Sequence, residues 1–226
     1  GDGAMMDTII KILERYGTVY MQGLAGTLWL AAITVVLGTA VGTLLAVLRL
    51  SRVRVFQWFV KAYVWILRGT PILLQLYFFW IFLPKVMPFS LSDTACIIVA
   101  LIINASSYVA EIIRAGIQAV DKGQTEAAGS LGLTAGHTMS KVVLPQAVKN
   151  ILPALGNEFI NMIKQVSLAS VFFINELTTS YRTVLAATYR PIEAIVIAGM
   201  IYLLVTTVLS QIVELAEWRM RKNERC

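Results

Sequence analysis

Charge is scarce in this chain of 226 residues: Asp, Glu, Lys and Arg make up 14% of it against 58% hydrophobic residues. A soluble domain carries about a quarter of its residues charged. That shortage excludes an ordinary soluble fold and makes lipid the natural solvent. Cysteine is nearly absent as well. Cys96 lies inside an apolar run and Cys226 ends a basic tail, so the two are not expected to share a compartment or a bond, and no disulfide framework exists. His137 is the single histidine, beside Thr138, and offers no catalytic pair. No GxxxxGK[ST] phosphate loop, HExxH, paired aspartate motif or serine-histidine arrangement occurs, so the chain is expected to hydrolyse nothing, hold no metal and bind no nucleotide itself. The net charge of +6 does not make it a nucleic-acid binder, because the basic residues cluster beside apolar runs instead of forming a stripe.

Long apolar runs are what the sequence does have, and several reach the roughly 20 residues needed to cross about 30 Å of hydrocarbon. None resembles a cleavable signal peptide. Residues 1–4, ahead of Met5 and Met6, read as a cloning remnant, and 1–19 as an external segment. The spans are expected at 23–50, 55–83, 92–120, 151–173 and 191–218, within a membrane domain at 20–218. Gly38 and Gly42, four apart, predict close helix contact in the first. Arg68-Gly69-Thr70-Pro71 predicts a kink or break in the second, because proline removes a donor and disfavours helix before it. Residues 84–91 read as a turn. The fold class is therefore all-α and integral to the membrane, with five transmembrane helices.

Lys and Arg near span ends set the orientation. Ten fall on one side (Arg49, Arg52, Arg54, Lys122, Lys141, Lys149, Arg219, Arg221, Lys222 and Arg225) and five on the other (Lys11, Arg15, Lys85, Arg182 and Arg190). The N-terminus is expected outside, with the polar insert at 121–149 and the basic tail at 219–226 in the cytoplasm.

The insert reads Glu126-Ala127-Ala128-Gly129-Ser130-Leu131-Gly132, then nine residues, then Val142-Val143-Leu144-Pro145. Residues 126–131 can form a short helix, Gly132 a left-handed cap, and Thr134 the start of a second helix. The small residues Ala127, Ala128 and Gly129 leave room for another protein's groove, and Leu144-Pro145 is expected to end the unit before the next span. The plain alternative is an amphipathic loop helix lying on the membrane surface. The spacing resembles the EAA signature of permease subunits in ATP-binding-cassette importers, E-A-A, three residues, G, nine residues, I-x-L-P, with only Val142 departing. Arg68-Gly69-Thr70-Pro71, 110–116, Gly123-Gln124 and Ala154-Leu155-Gly156-Asn157 resemble the polar amino-acid branch of that family. The resemblance implies a type I importer permease in a bacterial inner membrane, paired as a dimer with itself or a close relative. It also implies two cytoplasmic ATPase subunits, which bind ATP and magnesium, and an external solute-binding protein. Glu126, Ala127, Ala128, Gly132, Leu144 and Pro145 would couple to the ATPase.

Apart from that resemblance, Asn104, Ser107, Tyr108 and Glu111 occupy one helix face in the third span, and Asn157, Asn161, Lys164 and Gln165 follow helical spacing in the fourth. In hydrocarbon such stripes turn towards a bundle interior or a water-filled cavity, and two near midplane suggest one substrate pocket, with Arg68 and Ser167 at its edge. The plain alternative is interhelical glue. Lys164, costing roughly 2.5 to 3.5 kcal/mol within a membrane, needs a partner, either Glu111 or a substrate carboxylate. Glu111 and Arg114 are also spaced to pair as structural or gating elements. Relatives in this branch often carry an acid after the lysine. Gln165 stands there instead, which favours an uncharged polar amino acid such as glutamine, with basic ones also possible. The aromatic run Tyr77, Phe78, Phe79, Trp80 and Phe82 is assigned to helix contacts and the membrane interface. Rival classes are an ion-coupled secondary carrier using Glu111 as a relay, and an intramembrane enzyme, for which the motifs are missing.

Overall fold

The computed structural model describes the backbone of residues 2–51 and 53–222 and the side chains of 5–51 and 53–220. Gly1, Arg52, Arg225 and Cys226 lie outside it, as do the side chains of Arg221 and Lys222. Among the described residues the chain is helical throughout, without a strand. Helix α1 (Asp2–Leu50) is followed by α2 (Arg54–Gly69), α3 (Ile72–Val86) and α4 (Asp93–Gln118). The insert folds as α5 (Lys122–Ser130), α6 (Ala135–Thr138) and a π-helical turn (Met139–Val143), and α7 (Leu144–Gln165) continues into a 3-10 turn (Val166–Phe172). Helices α8 (Leu177–Thr188) and α9 (Pro191–Lys222) complete the order.

Helix α1 is a single helix of 49 residues, about 73 Å long at 1.5 Å per residue and longer than a bilayer is thick. It starts well before the expected boundary at 23, since 5–22 contains no proline and a single glycine, Gly17, to interrupt a helix. Its small residues set the packing. An ideal Cβ at Gly38 would sit 2.8 Å from the Ala105 Cβ, and one at Gly42 2.8 Å from the Ser106 carbonyl, so the glycine pair brings α1 onto α4. Two further glycines admit the start of α8 and the segment leading into it. A Cβ at Gly23 would fall 2.0 Å from the Ser180 Oγ, and one at Gly26 2.2 Å from the Asn175 carbonyl oxygen. In lipid, where apolar surface gains little by leaving its solvent, such close approach is a main source of helix association.

The break expected at 68–71 is present. Thr70 and Pro71 are extended, and α2 and α3 meet at 111°. Gln75 stitches the break, its Nε2 donating to the Leu67 carbonyl at 2.7 Å and to the Thr70 Oγ1 at 2.8 Å. The turn expected from 84 begins later, since α3 runs through Pro84 to Val86. Part of the aromatic run of α3 makes contacts within the bundle. Tyr77 and Trp80 meet Phe172 at ring separations of 5.0 and 5.5 Å.

Three helices are long and apolar enough to cross a membrane, Met5–Leu50, Asp93–Gln118 and Pro191–Met220, and the bent pair Arg54–Gly69 with Ile72–Val86 makes a fourth if taken as one span. The remaining expected span, the fourth in chain order, rests on α7, which has the length but carries Lys149, Glu158 and Lys164. Its α-helical part ends at Gln165, where 3-10 geometry takes over for the rest of the expected 151–173 segment. One end of the bundle holds the insert, the C-terminus of α1 and the C-terminus of α4. Helix α8 sits at the other end, against the N-terminal half of α1, where the Tyr20 hydroxyl donates to the Ala194 carbonyl at 3.0 Å.

The seam gives a sharp comparison. Gly26→Ala should lower the melting temperature of the detergent-solubilised protein by the equivalent of about 1 to 3 kcal/mol, since a backbone carbonyl blocks the new methyl. Gly17→Ala, with nothing within 4 Å, should leave it unchanged or raise it by up to about 1 kcal/mol. Equal melting temperatures would show that the seam is not tight.

Candidate coupling loop and polar path

The loop begins where Asp121 accepts a hydrogen bond from the Gly123 amide at 2.6 Å, which starts α5 earlier than position 126. Helix α5 ends in a double capping arrangement. The Leu133 amide donates to the Ala128 carbonyl at 3.1 Å and the Gly132 amide to the Gly129 carbonyl at 2.9 Å, the pattern in which the residue after the helix takes left-handed geometry. Gly132 does so at φ +80. Thr134 then caps α6, its hydroxyl meeting the His137 amide at 3.4 Å and the His137 Nδ1 at 2.9 Å. This contact occupies the one histidine.

Glu126, Ala127 and Gly132 are exposed, as are Leu144 and Pro145, whereas Ala128 is buried against the rest of the loop. Leu131 projects from the corner at 84% exposure. Behind the corner an open cleft of about 830 Å³, lined by Ile117, Val120, Leu133, Met139 and Val143 among others, separates α5 and α6 from the end of α4. One expectation is corrected here. Leu144-Pro145 does not end the unit: Pro145 sits in the first turn of α7, where its missing N–H is no loss. The π-helical turn joins α6 to α7 without a break in the helix.

At the same end, Glu111 of α4 lies under three guanidinium groups. Arg114 grips its carboxylate with two hydrogen bonds, the Nε one at 2.9 Å and an Nη2 one to Oε1. Arg49, from the last turn of α1, donates to Oε2 at 3.1 Å, and Arg68, from the last turn of α2, lies 3.8 Å from Oε1. Arg68 also stacks over the Tyr108 ring at 5.2 Å, and Arg114 reaches Gln118 one turn nearer the loop. One carboxylate thus ties three helices together beside the loop, and the Glu111–Arg114 pair expected from their spacing is one part of that cluster. The alternative pairing of Glu111 with Lys164 does not occur: arginines contact both its oxygens, and Lys164 lies on the exposed face of α7.

On α4, Asn104 and Ser107 of the stripe are buried and Tyr108 and Glu111 half-buried. The Asn104 Nδ2 donates to the Gln75 Oε1 at 2.8 Å, and the Ser107 hydroxyl to the Asn104 carbonyl at 2.7 Å. The stripe on α7 divides. Asn157, Asn161 and Lys164 share an exposed face, while Glu158 and Met162 are buried and Gln165 half-buried on the inner one. Asn104 and Asn161 therefore do not meet within one chain. Ser167 donates to the Lys164 carbonyl at 2.6 Å and is half-buried. Three acceptor atoms on or beside these stripes are buried without a donor: Asn104 Oδ1, Glu158 Oε1 and Gln165 Oε1.

Sequence reasoning passed over three residues here. Glu158 is a carboxylate inside the expected 151–173 span, and the rule that singled out Lys164 applies equally to it. Gln75, a lone amide in an aromatic run, could have been found the same way. Arg49 was counted only as an interface charge, and nothing in the sequence links it to a residue 62 positions away.

Comparison with known proteins bears directly on this arrangement. The permease of the Bacillus subtilis arginine transport system is 37% identical over 204 residues, covering 90% of this chain and 93% of that protein. The putative glutamine transport system permease of Rickettsia conorii is 34% identical, covering 97% and 100%. A crystal structure of an amino acid ABC transporter with histidines superposes with a TM-score of 0.88 at 40% identity, over 92% of this chain and 96% of its own. Inward-facing structures of the MetNI methionine ABC transporter share the fold, with a TM-score of 0.63 at 21% identity. Residues 38–222 match the family model for binding-protein-dependent transport system inner membrane components. With the loop, the helical bundle and these matches together, the chain belongs to that family: it is a membrane-spanning transport component of an ABC system, not an enzyme.

Proposed function

We propose that the chain lines the path by which an ATP-driven system takes up a polar L-amino acid with a donor-rich side chain. The observation that carries this reading is the set of three buried acceptors without donors, Asn104 Oδ1, Glu158 Oε1 and Gln165 Oε1. A buried acceptor left unpaired costs about 1 to 3 kcal/mol. A substrate bearing N–H groups supplies what these atoms lack. Lys164 offers the opposite charge for a substrate carboxylate, with Asn161 on the same exposed face and Arg68, Ser107, Glu111 and Ser167 at the margins.

That exposed face of α7 also argues for a second permease copy or paralogue. Asn157, Asn161 and Lys164 cannot face hydrocarbon, so a partner subunit covers them and the path runs between the two. Gln165 alone favours glutamine. Glu158 restores a carboxylate seven residues earlier, two helical turns away on the same inner face, and moves the preference towards a cationic side chain such as arginine.

At the loop, the exposed face of α5 with Glu126 and Ala127, the Gly132 corner and the Leu144-Pro145 start of α7 form a compact knob for a groove in the ATPase. Ala128 holds it from within. The ATPase supplies nucleotide and magnesium, and its closure moves the knob and switches the bundle between inward-open and outward-open states. Charge counting places the knob in the cytoplasm with the C-terminus and leaves the N-terminus outside, facing a solute-binding protein. An ion-coupled carrier fits less well, because the loop would then have no task.

Uptake into proteoliposomes holding the permease, its ATPase and its binding protein tests this reading. Transport should require ATP; uptake driven by an ion gradient alone would refute it. Glu158→Gln should cut arginine uptake about tenfold or more while sparing glutamine, the equivalent of one lost charge-assisted contact of about 1.5 kcal/mol or more. Equal loss of both substrates would mark Glu158 as structural. Gln165→Glu should raise the arginine-to-glutamine ratio, and an unchanged ratio would remove that residue from the specificity argument.

A further inference from the structure

At the end of the bundle opposite the loop, two helical segments close on an aromatic residue in the left-handed region. Phe173 (φ 56) follows the 3-10 turn, and Tyr189 (φ 54) follows α8. Glycine is the usual residue in such positions, because a Cβ there crowds the backbone, and a bulky side chain is an outlier. Neither ring gains burial in return. Phe173 is 79% exposed and Tyr189 85%. Phe173 has only the Arg182 guanidinium beside it, 5.4 Å from the ring centre, and among the described residues Tyr189 makes no side-chain hydrogen bond or ring contact.

The backbone beneath them is held firmly. The Glu176 carboxylate, fully buried, accepts from the Thr178 amide at 2.8 Å, the Thr179 amide at 2.6 Å and the Tyr202 hydroxyl at 3.0 Å. The Leu177 amide donates to the Thr27 Oγ1 at 3.0 Å, and the Ser180 hydroxyl to the Val19 carbonyl at 2.9 Å. Gly23 and Gly26 let α1 lie directly against this segment. Two aromatic side chains are thus presented to the outside from a rigid base, the arrangement in which a few anchors dominate a protein interface.

The surroundings indicate the kind of partner. Between 173 and 190 the only acid is the buried Glu176, and Glu193 lies just beyond, 3.8 Å from Arg190; Arg182 donates to the Ser170 carbonyl at 2.9 Å, and both arginines remain exposed, the side chain of Arg190 to 60%. The remaining exposed residues of α8 are small, Thr183, Ala186 and Ala187, with Asn175 ahead of it. A lipid-facing surface carries large aliphatic side chains, as Ile192, Ile195 and Leu203 do on α9. A polar surface with aromatic anchors and basic rims instead fits a soluble protein with an acidic face.

We propose that the α8 surface, anchored by Phe173 and Tyr189 and rimmed by Arg182 and Arg190, is where the solute-binding protein docks. This rests on the functional reading above, which puts that end of the bundle outside. The test titrates arginine-loaded solute-binding protein against the complete complex in nanodiscs and reads the stimulation of ATP hydrolysis. Tyr189→Gly removes the ring and relieves the left-handed strain. The variant should therefore melt no lower than wild type, yet need at least tenfold more binding protein for half-maximal stimulation. Its rate without binding protein should not change. Phe173→Gly should behave alike, and Arg190→Gln should flatten the dependence of half-saturation on salt. Unchanged half-saturation beside normal wild-type stimulation overturns the proposal alone, as does a loss that anionic lipid reverses, which would make the rings membrane anchors. A wild-type complex that no solute-binding protein stimulates overturns the functional reading and this proposal with it.

Discussion

The close approach of α1 to its neighbours is the constraint on which the rest of the structure depends. In lipid, apolar packing brings little net gain, so helices associate where small residues let backbones meet and polar groups pair. Gly38 and Gly42 fit α1 onto α4, and Gly23 and Gly26 fit it under the segment leading into α8. One helix thereby braces the loop end and the opposite end of the bundle. Gly116 and Gly156 extend the same device to α7, the first against Ile151 and the second by meeting Val213 of α9. The polar groups then fall into place around these contacts. Tyr63 of α2 donates to the Ile103 carbonyl of α4 at 3.0 Å, and Glu111 gathers arginines from α1, α2 and α4.

Two kinds of feature in this fold were legible in the sequence. The break at Thr70-Pro71, the left-handed Gly132 and the Thr134 cap follow from local rules, because proline, glycine and a capping hydroxyl act on their own backbone. The seam at Gly38 and Gly42 was legible because small residues spaced by four on an apolar helix have few other uses. The extension of α1 ahead of residue 23 was not legible, because composition marks where lipid begins rather than where a helix does. The role of Leu144-Pro145 was misread because proline serves the first turn of a helix as readily as it ends one.

The polar path was only half legible. Periodicity showed which residues share a face of α4 or α7, but not which face meets which, since that depends on how the helices rotate against each other. Lys164 was singled out and Glu158 overlooked, although burial separates them: Lys164 lies on the exposed face and Glu158 is 6% exposed. Glu111 was expected to meet Arg114 because three residues on one helix bring them together, whereas its contacts with Arg49 and Arg68 arise only in the tertiary structure.

In this account the knob and the path form one mechanical unit. The loop lies between α4 and α7, the helices that carry Asn104 on one side and Glu158 and Gln165 on the other, and the Glu111 cluster fastens α4 to α1 and α2 beside it. Its corner depends on Gly132, since φ +80 is barred to a β-branched residue without strain. The most direct measurement is the number of amino acids imported per ATP hydrolysed in proteoliposomes containing the Gly132→Val chain with its partners. The account predicts a fall of at least about tenfold, roughly 1.4 kcal/mol of lost coupling, with the melting temperature of the membrane domain retained. An unchanged ratio would contradict it.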